Sequence, residues 1–102
     1  MTGSLGNSVM QELRTSYLRS LAGKWDEFAE AATQRRFPTI VRIGHQMKGS
    51  GLSYGMPKFS DIGVRIEEAG ENRRVLLLDS LLAEFKVLLK EAAEEMSPPE
   101  KK

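Results

Sequence analysis

The sequence predicts an all-α fold, an antiparallel up-and-down four-helix bundle with an additional N-terminal helix. From about residue 7 to residue 96 the apolar residues recur at helical spacing, and no stretch alternates convincingly at period two. The connections between the periodic segments are short, which forces consecutive helices to run antiparallel. The length of 102 residues suits one domain around a single hydrophobic core.

The N-terminal part of the chain contains two periodic stretches. The first carries an apolar stripe formed by Met10, Leu13, Tyr17 and Leu21. The second continues this stripe from Trp25 to Ala32, and Gly23 lies between the two. Glycine weakens a helix interior, so the two stretches are either separate helices or one kinked helix.

Three further helices follow. The third segment starts near Pro38 and has an inner stripe of Phe37, Ile40, Gly44, Met47, Gly51 and Tyr54. The fourth follows Gly55 and Pro57, and its inward residues are Phe59, Ile62, Ile66 and Ala69. The fifth runs from about residue 73 to residue 95. We expect residues 1–6 to be flexible, residues 7–96 to form the bundle, and the proline-containing, charged tail 97–102 to be disordered.

Composition excludes several classes of function. Fifteen basic and fourteen acidic residues leave a formal charge of +1, which argues against a nucleic-acid or membrane-surface binder. Cysteine is absent, so thiolate and disulfide chemistry are excluded. No apolar run approaches the roughly 20 residues of a membrane span, and the N-terminus lacks the pattern of a secretion signal. The expected location is the cytoplasm.

His45, the only histidine, is the candidate functional residue. Lys48 and Gly49 follow it by three and four residues, so all three share one face of a helix. With Ile40 at the centre of the buried stripe, His45 lies about 140° away and Gly49 about 180° away. The helix therefore presents an imidazole nucleophile to solvent beside a lysine that favours an anion. A glycine facing away from the core is best explained by access for a bulky partner.

Glu67 is the candidate partner of His45. If the turn between the third and fourth helices centres on Met56, antiparallel pairing brings residue 67 level with residue 45. A carboxylate there could accept a hydrogen bond from Nδ1–H of His45 and leave the Nε2 lone pair outward. The alternative is a solvated charge, or an ion pair with Lys48 or Arg42.

Val41 and Leu52 also fall near the outer face, where they would form an apolar patch around His45. Packing against a neighbouring helix is the alternative for either residue. Together with Arg42 they are the expected partner-binding residues. No cluster of carboxylates and histidines has metal-ligand spacing, so no metal site is expected.

The segment from His45 to Gly51, the following Ser53 to Pro57, and the pair Ile66-Glu67 resemble the signature of histidine-containing phosphotransfer (Hpt) domains. The resemblance extends from about Leu13 to Leu89. It implies a four-helix bundle with an extra N-terminal helix, and a phosphohistidine that exchanges its phosphoryl group with the aspartate of a receiver domain.

By residue, the resemblance implies that His45 is the phosphoacceptor and that Lys48 balances the phosphate charge. Gly49 would give the receiver room, and Glu67 would orient the imidazole. It further implies a phosphorelay intermediate that is not itself a kinase and carries no cofactor, the divalent metal belonging to the receiver. The expected partners are response-regulator receiver domains and a hybrid histidine kinase, with the chain acting as a monomer.

Three other functions are alternatives to this one. A phosphate-binding P-loop requires its lysine after the glycines and between a strand and a helix, so the segment Lys48 to Gly51 does not fit. A dimeric phosphotransferase of the kinase-dimerisation type also presents a histidine on a helical bundle. The remaining alternative is a helical interaction module in which His45 has no chemical role.

Overall fold

The computed structural model describes residues 2–96, which form four helices. These are α1 (Thr2–Thr33), α2 (Phe37–Ser53), α3 (Pro57–Glu71) and α4 (Val75–Met96). Consecutive helices pack against each other, α1 also packs against α4, and no strand occurs within residues 2–96. The predicted all-α bundle is confirmed for this part of the chain.

The additional N-terminal helix is not confirmed, because both N-terminal stretches belong to the single helix α1. The helix continues through Gly23, around which space is open. A glycine costs a helix interior only about 0.5–1 kcal/mol, and burial of Tyr17, Leu21 and Phe28 along one stripe outweighs this. Helix α1 begins at Thr2. The flexibility expected for residues 1–6 stays a prediction. Residues 97–102, predicted to be a disordered tail, lie outside the described residues.

The core contains apolar residues from all four helices, and two details differ from the predicted stripes. Ile43 is fully buried although it was not assigned to the inner stripe of α2. Met10 and Leu13 are exposed although they continue the stripe of α1. Nε of Arg14 donates to the carbonyl of Tyr54 at 3.3 Å, which places the end of α2 at this level of α1. Residues before Arg14 therefore extend beyond the α2–α3 pair. The buried apolar residues are Tyr17, Leu21, Phe28, Ala31, Ile40, Ile43, Met47, Phe59, Ile62, Ile66, Ala69, Leu78, Leu81, Phe85 and Ala92.

Helices α2 and α3 approach each other at backbone contact distance. A Cβ atom built on Gly44 would lie 2.5 Å from the backbone nitrogen of Glu67 and 2.6 Å from the carbonyl oxygen of Gly63. A Cβ on Gly63 would lie 2.7 Å from the backbone nitrogen of Lys48. The hydroxyl of buried Ser60 donates to the carbonyl of Lys48 at 2.7 Å. Only residues without a side chain allow this approach, which fixes the register of α3 against α2.

Candidate functional site

His45 lies on the outer face of α2, as the helical geometry predicts. Its side chain is 67% exposed, whereas its neighbour Gly44 is buried against α3. The rigid, close contact between α2 and α3 therefore holds the backbone of His45 while the imidazole stays accessible. A partner can reach this ring without any opening of the bundle.

Glu67 on α3 contacts both His45 and Lys48. Nδ1 of His45 is 3.3 Å from Oε2 of Glu67, and Nζ of Lys48 is 3.4 Å from Oε1. When Nδ1 carries the proton, it donates to the carboxylate, and Nε2 keeps its lone pair. The hydrogen bond and the ion pair with Lys48, posed as alternatives from the sequence, are therefore both present. The second proposed ion pair is not, because Arg42 pairs with Glu27 of α1 at 2.6 Å.

Gly49 lies one helical turn beyond His45 and is exposed. A Cβ atom built at this position would have no heavy atom within 4 Å. Packing inside the bundle therefore does not require a glycine here, in contrast to Gly44. The space above Gly49 is continuous with solvent on the face of His45, so it is open to an incoming group.

The predicted partner-binding residues have different surroundings. Leu52 is 65% exposed and remains available to a partner. Val41 is half-buried, and its Cγ2 would lie 3.0 Å from a Cβ built on Gly70 of α3. Val41 thus packs against the neighbouring helix, the alternative left open from the sequence. Arg42 is exposed, and its guanidinium is engaged by Glu27.

Helix α1 contributes residues to this region that the sequence analysis missed. Nζ of Lys24 donates to the side-chain oxygen of Gln46, next to His45, and Glu27 accepts from Arg42. If the turn between α1 and α2 centres on Arg35, antiparallel pairing brings residue 24 level with residue 46 and residue 27 approximately level with residue 42. The same counting that predicted the position of Glu67 could therefore also have predicted Lys24 and Glu27. On the same side of α2, Ser50 and the phenol of Tyr17 form a hydrogen bond of 2.7 Å.

Two other features are absent from the part of the chain that the structure describes. Residues 2–96 contain no group of three or more His, Cys, Asp or Glu side chains placed to hold a metal ion. Within the same described residues, no helix has the length and apolar character needed to cross a membrane.

The fold and the site together define an all-helical domain that displays an exposed histidine. Nδ1 of this histidine is paired with a carboxylate, and a lysine and an open glycine lie beside it. Residues 12–97 match the family model described as Hpt domain. The chain therefore belongs to the histidine-containing phosphotransfer family and is a phosphorelay intermediate of two-component signalling. Searches of curated proteins and of solved structures returned no match. Hpt domains interact with receiver and kinase partners and carry phosphate without being kinases.

Proposed function

We propose that His45 is the phosphoacceptor of this chain. The observation that carries the proposal is the pairing of Nδ1 with Glu67, at 3.3 Å, on an imidazole that is otherwise exposed. This arrangement favours the tautomer with its proton on Nδ1 and leaves Nε2 as the nucleophile. No other residue of the chain offers an imidazole nitrogen, because His45 is its only histidine.

In the proposed reaction, the Nε2 lone pair attacks the phosphorus of an aspartyl phosphate on a receiver domain. The Nε2–P bond forms as the bond between phosphorus and the aspartate oxygen breaks, and the electron pair leaves on the aspartate carboxylate. The proton on Nδ1 remains there, hydrogen-bonded to Glu67. The reverse sequence returns the phosphoryl group to a receiver, so the direction depends on which partner is phosphorylated.

Lys48 and Gly49 have supporting roles in this proposal. Phosphoryl transfer depends mainly on alignment and on neutralisation of charge. Lys48 is held by Glu67 at 3.4 Å, which keeps its ammonium group near the imidazole to balance the phosphoryl oxygens. Gly49 leaves room for the receiver's reacting groups, and exposed Leu52 offers them an apolar contact.

We infer that this chain relays phosphate between the receiver of a hybrid histidine kinase and the receiver of a response regulator. In this scheme the chain contributes no metal or nucleotide site, and the divalent metal is expected on the receiver. It acts as a monomer, since a single His45 face contains every residue assigned to the reaction. Sedimentation of the purified chain tests the monomer, and a dimer would favour the kinase-dimerisation type of phosphotransferase.

The decisive experiment incubates the purified chain with a receiver domain phosphorylated by acetyl phosphate and resolves the products on a phosphate-retarding gel. We expect a phosphorylated chain that is stable in base and labile in acid, and no such product with His45→Gln. A matched control, His45→Gln with Gln46→His, keeps one histidine but turns it about 100° round the helix, away from Glu67. Transfer to either variant would contradict the assignment of His45.

A further inference from the structure

Four arginines lie at one end of the bundle. Arg35 and Arg36 are in the turn between α1 and α2, and Arg73 and Arg74 are in the turn between α3 and α4. The guanidinium carbon of Arg73 lies 5.5 Å from the centroid of the Phe37 ring, so the two turns are adjacent. We call these four exposed residues the arginine end.

The backbone at the arginine end adopts a conformation that is unusual for arginine. All three turns between helices close with the same kind of hydrogen bond, from Arg36 to Ala31, from Met56 to Gly51, and from Arg74 to Ala69. Each turn also requires one residue with positive φ. In the α2–α3 turn this residue is Gly55, whereas in the other two turns it is Arg35, with φ 59°, and Arg73, with φ 54°. Arginine is less favourable than glycine at positive φ, so both turns keep an arginine where glycine would relax the backbone.

The positive charge of the arginine end is not neutralised by ion pairs. Beside His45, both Arg42 and Lys48 are paired with carboxylates. The side chains of Arg35, Arg36 and Arg74 form no ion pair or hydrogen bond with any part of residues 2–96. These guanidinium groups therefore retain their full capacity to bind carboxylates of another protein.

Carboxylates on the neighbouring helical turns limit the distance over which the positive charge of the arginine end acts. Glu30 precedes the first turn, Glu68 and Glu71 precede the second, and Asp79 follows it. Their charges offset those of the arginines at long distance, where solvent and salt also screen the field. The arginine end is therefore suited to direct contact with an acidic surface, and much less to attraction over a distance.

The arginine end lies within the area that a partner centred on His45 would cover. Phe37 precedes His45 by eight residues, or about 12 Å along α2, and Leu52 follows it by seven residues, or about 10 Å. A typical protein interface buries about 800 Å² on each partner, equivalent to a disc of about 16 Å radius. Such a disc includes the apolar contact at Leu52 on one side and reaches the arginine end on the other.

We propose that the receiver domain that exchanges phosphate with His45 also contacts the arginine end through carboxylates on its own surface. This inference rests on the proposed function of His45. In the resulting interface His45 and the open glycine lie near the centre, and Leu52 gives an apolar contact on one side. Arg35, Arg36, Arg73 and Arg74 form a charged edge on the other side. This distribution of apolar and charged residues is the usual one for transient protein interfaces.

Charged residues at the edge of an interface affect association more than the reaction that follows. Removing them should raise the receiver concentration needed for half-maximal transfer and leave the maximal transfer rate unchanged. Added salt should weaken binding of the wild-type chain and reduce its advantage over the variant.

The test measures transfer rate against receiver concentration for the wild-type chain and for Arg35→Gly with Arg74→Ser, which removes one charge from each turn. Glycine accepts the positive φ of residue 35, so this variant is expected to fold. Arg35→Lys with Arg74→Lys retains both charges. Arg19→Ser with Lys90→Ser removes two exposed charges elsewhere and controls for net charge.

We expect the half-saturating concentration to rise between about two- and thirtyfold in the Gly/Ser variant at low salt. The lysine variant should recover most of this loss, and the Arg19 and Lys90 control should match the wild type. Equal half-saturating concentrations for the Gly/Ser variant and the wild type would overturn the inference and leave the role of His45 intact. Absence of transfer to the wild-type chain would instead overturn the proposed function, and this inference with it.

Discussion

The carboxylate of Glu67 is shared between His45 and Lys48, with one oxygen 3.3 Å from Nδ1 and the other 3.4 Å from Nζ. Glu67 has only 18% of its side chain exposed, whereas the imidazole is largely open to solvent. One carboxylate on α3 therefore contacts both the imidazole and the ammonium group of α2. Phosphorylation of His45 would place new negative charge beside Lys48, which could then move from Glu67 towards the phosphoryl oxygens.

The first prediction concerns Glu67→Ala. Loss of the hydrogen bond should shift the His45 tautomers away from protonated Nδ1, an effect measured through the ring ¹⁵N chemical shifts. A hydrogen bond of this kind contributes about 0.5–1.5 kcal/mol, so the transfer rate should fall about two- to tenfold. Glu68→Ala, which removes an exposed neighbouring carboxylate, should change neither quantity. An unaltered tautomer ratio together with an unaltered rate in Glu67→Ala would refute the orienting role.

A second prediction concerns Lys48→Ala. The ammonium group is half-exposed, and a charge interaction there is worth about 1–2 kcal/mol, so transfer should slow about five- to thirtyfold. The ion pair with Glu67 is near the surface, and its loss should reduce the free energy of unfolding by no more than about 1 kcal/mol. Lys48→Arg should preserve part of the rate. A loss of transfer that merely follows a loss of folded protein, measured by circular dichroism, would contradict a role in charge balance.

The position of Glu67 could be predicted because a short turn leaves little freedom in the pairing of two antiparallel helices. The open space at Gly49 could be predicted because helical rotation alone places that residue opposite the core. The continuity of α1 could not be predicted. Gly23 costs the helix little, and the packing that outweighs this cost is not visible in the sequence. The exposure of Met10 and Leu13 depends on where α2 ends beside α1. An apolar stripe does not specify the length of the helices that cover it.

The third prediction compares two glycines of α2. Gly44→Ala should lower the free energy of unfolding by about 1–3 kcal/mol or more, because its Cβ would lie 2.5 Å from the backbone nitrogen of Glu67. Gly49→Ala should raise it by about 0.5–1 kcal/mol, because its Cβ meets nothing and alanine favours the helix. Urea unfolding of both variants measures these changes. Destabilisation of similar size at both positions would show that Gly49 is required for folding.

Gly49→Phe extends this comparison to function. The ring would occupy the open space beside His45 and obstruct an incoming receiver, so transfer should be strongly reduced. The free energy of unfolding should fall by less than about 1 kcal/mol, since no contact within the bundle is disturbed. Normal transfer from a receiver to Gly49→Phe would remove the access role of this glycine.

The last prediction is a loss of stability at alkaline pH that originates at Tyr17. Burial raises the pKa of the Tyr17 phenol above its ordinary value of 10.0, and the hydrogen bond with Ser50 opposes this in part. Above about pH 10 the unfolded chain releases this proton while the folded chain retains it, so the folded state binds more protons and the free energy of unfolding falls as pH rises. Below that pH both states keep the proton and this contribution is constant.

Two variants test whether the loss of stability at alkaline pH originates at Tyr17. One should make this loss smaller and the other should make it larger. Tyr17→Phe should be less stable at neutral pH by about 1 kcal/mol, because Ser50 loses its partner, but it should lose less stability between about pH 9 and pH 11. Ser50→Ala keeps the phenol and removes the bond that lowers its pKa, so its alkaline loss should be steeper than that of the wild type. Urea unfolding across this pH range measures all three chains. Parallel curves would show that ionisation of Tyr17 is not coupled to folding.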